Sequence, residues 1–234
     1  MNTVLHMPPR GPAPNLDYLA ICIPCLDKPN MLFSQDLAVM MYRLGVQRFP
    51  TLMIHESGSF IPKVRNRLVE NVRRISKEAG VTIGWYLFLD ADMRFPADTP
   101  QRLMAHNKDI IGCTYVRRSA PFDCLGRTLT NKPVEAKDLD LLEMAGLPTG
   151  VLMIKSHVFD SLKRPYFFGP YREESAPGAN DQFEWGEDYG FCIKAREAGF
   201  QIWLDPQLSK SIGHVSEKTL YPETDSWPDV AATA

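Results

Sequence analysis

Short apolar runs alternate with amphipathic stretches along most of the chain, the order expected of an α/β protein with a largely parallel sheet. Leu19 to Cys25 (LAICIPC) reads as the first strand. Leu37, Met40, Met41 and Leu44 recur at helical spacing, with Ser34 placed to cap that helix and Gly45 to end it. Thr51 to His55 is a second strand. A long helix follows from about Pro62 to Ala79, with Val64, Leu68, Val72, Ile75 and Ala79 on one face and Gly80 just beyond. Lys63, Arg65, Arg67, Arg73, Arg74 and Lys77 fall on its other face.

Trp85 to Leu89 (WYLFL) is continuously apolar, which marks a strand buried on both faces, and it ends abruptly in Asp90-Ala91-Asp92. Thr99-Pro100 starts a helix through Leu103 and Met104. A strand from Ile110 to Val116 follows, then a polar stretch to about residue 148 with little periodicity. Gly150 to Ile154 (GVLMI) is a strand, and Ser156 caps a short helix through Val158, Phe159 and Leu162. Residues 165–186, rich in Pro, Gly and aromatics, read as a long loop, a length usually tied to function. Glu187 to Ala198 is helical with Gly199 as its stop, and Gln201 to Leu204 is a strand. With no repeat and no linker, the expected organisation is a flexible arm over 1–16, one domain over 17–215 and a tail over 216–234. Within that domain the two halves are expected to be 17–116 and 117–215.

Charge narrows the choice of partner. Lys and Arg number 26 against 28 Asp and Glu, a net charge of −2, so there is no global positive field for a polyanion. The five cysteines, Cys22, Cys25, Cys113, Cys124 and Cys192, are an odd number in apolar surroundings, as expected of reduced thiols. Cys22 and Cys25 form a C-x-x-C inside a strand-like run, without the helix start of a redox pair or the second Cys pair of a zinc site. The N-terminal stretch lacks the apolar core of a signal peptide and no run is long enough for a membrane helix, so a soluble, cytoplasmic protein is expected.

Asp90 and Asp92 stand at the C-terminal end of a buried strand, where open α/β sheets bind ligands. In an extended backbone both carboxylates face one side, and their repulsion is relieved by a divalent cation or a basic partner. Mg²⁺ or Mn²⁺ suits carboxylate oxygens and commonly bridges to phosphates; the plainer alternative is a turn and a helix cap. Glu187 and Asp188 open a helix, as dipole-stabilised caps or as a positioned general base. His214, in SIGHV, reads as a structural or surface histidine or, as the best placed of the five, as the imidazole that completes a carboxylate metal site.

The ordered set Asp90-x-Asp92, Gly112-Cys113-Thr114-Tyr115, Gly150-Val151-Leu152-Met153-Ile154, Gly186-Glu187-Asp188-Tyr189-Gly190-Phe191-Cys192 and Gly213-His214 closely resembles a GT-A-fold glycosyltransferase of the family 2 type. The resemblance covers roughly residues 17–215. It implies a mixed, mostly parallel α/β sheet flanked by helices in a single domain. It also implies a nucleotide-sugar donor, UDP- or GDP-linked, and Mn²⁺ or Mg²⁺. Asp92 and His214 match the metal ligands, and Asp90 matches the residue that contacts donor sugar or ribose, or the metal through water. Asp188 matches the base of inverting members, with Glu187 as the second candidate. Pro24, Cys25 and Asp27 match the nucleoside loop, Glu56 the base or ribose contact, Ala91 the donor motif, and Arg65-Asn66 a nucleotide-binding pair whose alternative is a solvated helix face. Tyr115, Gly150, Arg117 and Trp185 fall on the sugar and acceptor side.

The first strand ends in ICIPCLDKPN and not in the common P-x-Y-N-E form, and a Q-x-x-R-W motif is missing, which favours a single-transfer enzyme over a processive synthase. Arg117 and Arg118, with Lys132 and Lys137, either meet a phosphate or another anion or are simply solvated surface charges. Tyr166, Phe167, Phe168, Tyr171 and Trp185 either form an aromatic wall for a sugar or base ring, or simply pack. Soluble enzymes of this type occur among phage and bacterial proteins, which leaves a glycan, lipid, protein or modified nucleobase in DNA as acceptor, in the host cytoplasm if phage-encoded. Two other readings stay open: a sugar-phosphate nucleotidyltransferase, though residues 24–34 lack the Gly-rich phosphate loop it would want, and a non-catalytic nucleotide-sugar-binding module.

Overall fold

The structure, a computed structural model, describes residues 4–6, 17–118, 122–132, 134, 140–169, 186–216 and 219–220. The first half runs β1 (Val4–His6), β2 (Tyr18–Cys25), α1 (Met31–Val46), β3 (Thr51–Ser57), α2 (Ile61–Ala79), β4 (Ile83–Leu89), β5 (Met93–Arg94), α3 (Thr99–Ala105) and β6 (Ile110–Gly112). The second runs β7 (Arg127–Thr128), β8 (Leu142–Gly146), β9 (Val151–Lys155), α4 (Ser156–Ser161), α5 (Glu187–Glu197), β10 (Ile202–Leu204), α6 (Pro206–Ser209), β11 (Gly213–Val215) and β12 (Thr219–Leu220).

Among the described residues, nine strands form one sheet in the order β1-β3-β2-β4-β9-β6-β10-β8-β7, and β12-β11-β5 form a small second sheet. The mixed sheet flanked by helices is the architecture expected. Parallel pairing is less extensive than expected: it joins β3 to β2, β2 to β4 and β6 to β10, while the other neighbours are antiparallel. The cause is β9. The chain returns from residues 113–150 at the edge where β4 and β6 end, so β9 starts there, Val151 opposite Leu89 and Leu152 opposite Gly112, and runs back between them.

The strands read as continuous apolar runs because each face of the sheet is covered. Ala20, Cys22, Tyr86 and Phe88 point to one layer with Val64, Leu68, Val69 and Val72 of α2, Phe159 of α4 and Phe191 of α5. Leu19, Ile21, Leu87 and Leu89 point to the other, with Phe33, Met40 and Leu44 of α1, Leu103 of α3 and Leu208 of α6. α2 ends as expected at Gly80, whose φ of 64° is left-handed. All five cysteines are buried, and none forms a disulfide among the described residues.

Several boundaries move. α1 begins three residues before Ser34, because Asn30 caps it: the Asn30 Oδ1 accepts from the Leu32 N–H at 2.8 Å. Gly45 lies inside the helix, and the chain turns out at Arg48, φ 54°. β6 is only three residues long. Beyond Gly112 the chain leaves the sheet and residues 115–117 pair back on 123–125, with Leu125 N–H donating to the Tyr115 carbonyl and Arg117 N–H to that of Asp123. The polar stretch to residue 148 holds β7 and β8, strands too short to show periodicity. Tyr166 and Phe167 are 1% exposed and belong to the core, so they form no aromatic wall. Tyr171, Trp185 and Lys137 lie outside the described residues.

Candidate active site

The candidate residues gather where β2, β4 and β6 end and β9 begins. Asp90-Ala91-Asp92 is a turn, not an extended strand end, and neighbouring elements hold its backbone. Asp90 N–H donates to the Gly150 carbonyl at 3.1 Å, Asn30 N–H to that of Ala91 at 2.8 Å and Val215 N–H to that of Asp92 at 2.8 Å. The turn sends the two carboxylates to different partners, which corrects the expectation that both face one metal.

Asp90 turns toward α2. Both its oxygens accept from Arg65 Nη2, at 2.7 and 2.9 Å, and Arg65 Nη1 donates to Glu187 Oε1 at the start of α5. Arg65 is only 4% exposed. The sequence places it on a solvated face or on a nucleotide, whereas the structure uses it to bridge two carboxylates from separate segments, one on each terminal nitrogen, which the several donors of a guanidinium allow. Asp90 is therefore committed to Arg65 and not placed as a metal ligand. Asn66 is also internal: its Nδ2 donates to the Pro62 and Phe167 carbonyls and its Oδ1 accepts from the Tyr166 and Phe167 N–H groups. Its amide has no capacity left for a nucleotide.

Asp92 faces β11. Its Oδ2 lies 3.6 Å from His214 Nε2 and 2.9 Å from Arg118 Nη1. His214 Nδ1 sits 2.9 Å from the Val116 carbonyl, which only accepts, so Nδ1 carries the proton there. In neutral His214 the Nε2 lone pair then points toward a carboxylate oxygen, and two acceptors converge on a place for a cation. An imidazole whose far nitrogen is bonded to a carbonyl is the arrangement that metal ligands favour. Asp92 and His214 thus fit as a two-residue divalent site. Among the described residues no three His, Cys, Asp or Glu side chains converge on one point. Burial works to raise the Asp92 carboxyl, but with no cation between them His214 in its protonated form and the charge of Arg118 outweigh it and hold the carboxyl below the ordinary aspartate range.

Asp188 opens α5, with Oδ1 accepting from the Tyr189 N–H at 2.8 Å. Burial pushes its carboxyl above the ordinary range; Arg65 and the Tyr189 N–H oppose this and Asp90 adds to it. Tyr115 and Gly150 form the floor beneath. The Tyr115 hydroxyl accepts from the Gly150 N–H at 3.0 Å, and a Cβ on residue 150 would sit 2.3 Å from that oxygen, so only glycine fits. Both are buried, which corrects their expected place as sugar contacts. Burial holds the Tyr115 hydroxyl protonated, helped by the charges of Asp90 and Asp188.

The remaining candidates spread along the rim. Pro24 and Cys25 are buried at the end of β2, Asp27 is exposed in the following loop, and Glu56 accepts from Asn71 at 2.6 Å. Arg117 is pinned to Asp123 at 3.1 Å instead of reaching for an acceptor. Trp185 lies outside the described residues. Sequence reasoning missed the contact of Arg118 with Asp92, which only the return of residues 115–117 toward β11 creates.

By sequence, the chain matches no family profile and no curated protein. By fold, 89% of it aligns with 91% of A197 from STIV, at a TM-score of 0.55 and 16% identity, and the two share a fold. GalNAc-T7, solved with UDP, GalNAc and Mn²⁺, aligns over 88% of this chain and 45% of its own, at TM-score 0.43 and 11% identity. A glycosyltransferase involved in the glycosylation of the major capsid of PBCV-1 aligns over 61% and 62%, at 0.34 and 11%. Among the described residues no helix is long and apolar enough to cross a membrane.

Proposed function

We propose that the chain is a family-2-like GT-A glycosyltransferase that moves one sugar from a nucleotide-sugar donor, UDP- or GDP-linked, to an acceptor hydroxyl with inversion. The observation that carries this reading is the approach of His214 Nε2 to Asp92 Oδ2, at 3.6 Å, at the end of the sheet that also holds the half-buried Asp188. Asp92 and His214 would hold Mn²⁺ or Mg²⁺, which when bound supplies charge neutralisation for a departing nucleoside diphosphate. Asp188 is the base: it takes the proton of the acceptor hydroxyl as that oxygen bonds to the anomeric carbon and the bond to the diphosphate breaks. Its raised carboxyl suits the task, since a base poised nearer neutrality transfers protons more effectively. Glu187, tied to Arg65, is left a positioning part. Arg65 engages Asp90 and Glu187 in ion pairs, which leaves Asp188 as the carboxylate of the three that accepts the proton.

A thermal-shift matrix of UDP, GDP, CDP and dTDP, each with and without Mn²⁺, tests the reading, because a ligand that binds only the folded state raises its Tm. A shift that needs both the metal and one class of nucleoside is expected. No shift with any combination contradicts the donor site.

A further inference from the structure

Arg118 has no part in the reading above, yet it makes the shortest contact that Asp92 has among the described side chains: Nη1 to Oδ2 at 2.9 Å, against 3.6 Å for His214 Nε2 to the same oxygen. It stands on a stem that is held firmly. Arg117 N–H donates to the Asp123 carbonyl, Arg117 Nε pairs with Asp123 Oδ1 at 3.1 Å, and Val116 bridges to Cys124. The same stem carries the Val116 carbonyl that orients His214 and the Tyr115 hydroxyl that meets Gly150. Beyond this fixed base, Arg118 itself is 56% exposed and, among the described residues, is tied by one ion pair, to Asp92. A guanidinium on a rigid base with an exposed head is free to turn without disturbing the fold.

The Oδ2 atom that Arg118 occupies is the atom that faces His214. A divalent ion held between Asp92 and His214 would therefore compete with the guanidinium for one oxygen and repel it as a like charge. A nucleoside diphosphate brought with the ion adds negative oxygens beside the vacated position. Arginine binds such oxygens in fork geometry. Resting on the glycosyltransferase reading of the site, we propose that Arg118 is an exchangeable counter-cation. It neutralises Asp92 while the site is empty, gives that oxygen up to the divalent ion, and then clamps the diphosphate of the donor. Metal and nucleotide would thereby load together, since the metal alone must displace Arg118 and only the nucleotide gives Arg118 a new partner.

The proposal requires opposite changes in two affinities. Mn²⁺ alone, followed by loss of the free-ion electron paramagnetic resonance signal, is expected to bind Arg118→Gln several-fold more tightly than the parent, because the competitor is gone. UDP and GDP titrated calorimetrically in saturating Mn²⁺ are expected to bind it about tenfold more weakly, the loss of one charge-assisted hydrogen bond partly screened by solvent. Arg118→Lys, which keeps the charge and loses the fork, is expected to fall between. Circular dichroism confirms folding, which this exposed position does not threaten. Unchanged affinities, or a change of both in the same direction, overturn the exchange while leaving the donor site intact. A parent chain that binds neither Mn²⁺ nor nucleotide overturns the donor site, and the exchange with it.

Discussion

Replacing Arg65 by Met keeps a long unbranched stem in place and deletes the charge that joins α2, the Asp90 turn and α5. The guanidinium is 4% exposed, Asp90 27% and Glu187 19%, so the two pairs are largely shielded from water. Removing one partner of a buried ion pair leaves an uncompensated charge and costs about 3–5 kcal/mol. Here the loss leaves Asp90 and Glu187 facing each other beside Asp188. For a chain of this size each kcal/mol moves Tm by about 2–4 °C, so a fall of about 6–20 °C is expected in differential scanning calorimetry at neutral pH. The triple variant Arg65→Met, Asp90→Asn, Glu187→Gln removes the stranded charges with their partner and should recover most of that loss. A fall under about 3 °C, or a triple variant no more stable than the single one, would refute the view that Arg65 is the electrostatic centre of the site.

Asp188→Asn is expected to bind donor nucleotide normally and to lose transfer by about 10²–10⁴-fold in a donor-turnover assay, the usual worth of a positioned base; near-normal turnover contradicts the assignment. The same variant should be more stable at pH 7. A carboxyl whose folded pKa lies above its unfolded value stabilises the fold at low pH and loses that contribution as pH rises through the folded pKa, so ionised Asp188 is a burden that Asn removes. For the same reason the acid limb of the parent pH–rate profile should fall above the ordinary aspartate range, and a limb within that range counts against burial as its cause. Gly150→Ala places a methyl 2.3 Å from the Tyr115 hydroxyl and should cost about 1–3 kcal/mol, partly regained by Tyr115→Phe in the double variant. Equal loss in single and double variants would locate the clash elsewhere.

The sequence carried the elements well where periodicity was sustained. α2 kept its apolar face and its Gly80 stop, and β4 ended where its apolar run met Asp90. His214 and Asp92 met although 122 residues separate them, because β11 pairs with β5 and sets His214 opposite Met93. What was not legible depends on contacts between segments. Arg65 sits at a polar position of an amphipathic helix, and only the approach of Asp90 and Glu187 makes that position an interior one. Asn66 beside it looks free to bind a ligand until the Tyr166–Phe167 segment takes up its whole amide. The two aspartates of the D-x-D motif share a face only in extended backbone, and the backbone here turns. Residues 115–117 and 123–125 lack periodicity because, among the described residues, their pairing is one short bridge, so the delivery of Arg118 to Asp92 left no trace in hydropathy.

Calorimetric titration of UDP and GDP, with and without Mn²⁺, into the parent chain and into Asp92→Asn and His214→Ala tests the central claim most directly. The account predicts that one nucleoside diphosphate binds the parent only with Mn²⁺, and that each substitution removes the metal-dependent part of the affinity while the fold, followed by circular dichroism, persists. Binding of equal strength with and without Mn²⁺, or metal-dependent binding that survives both substitutions, would contradict it.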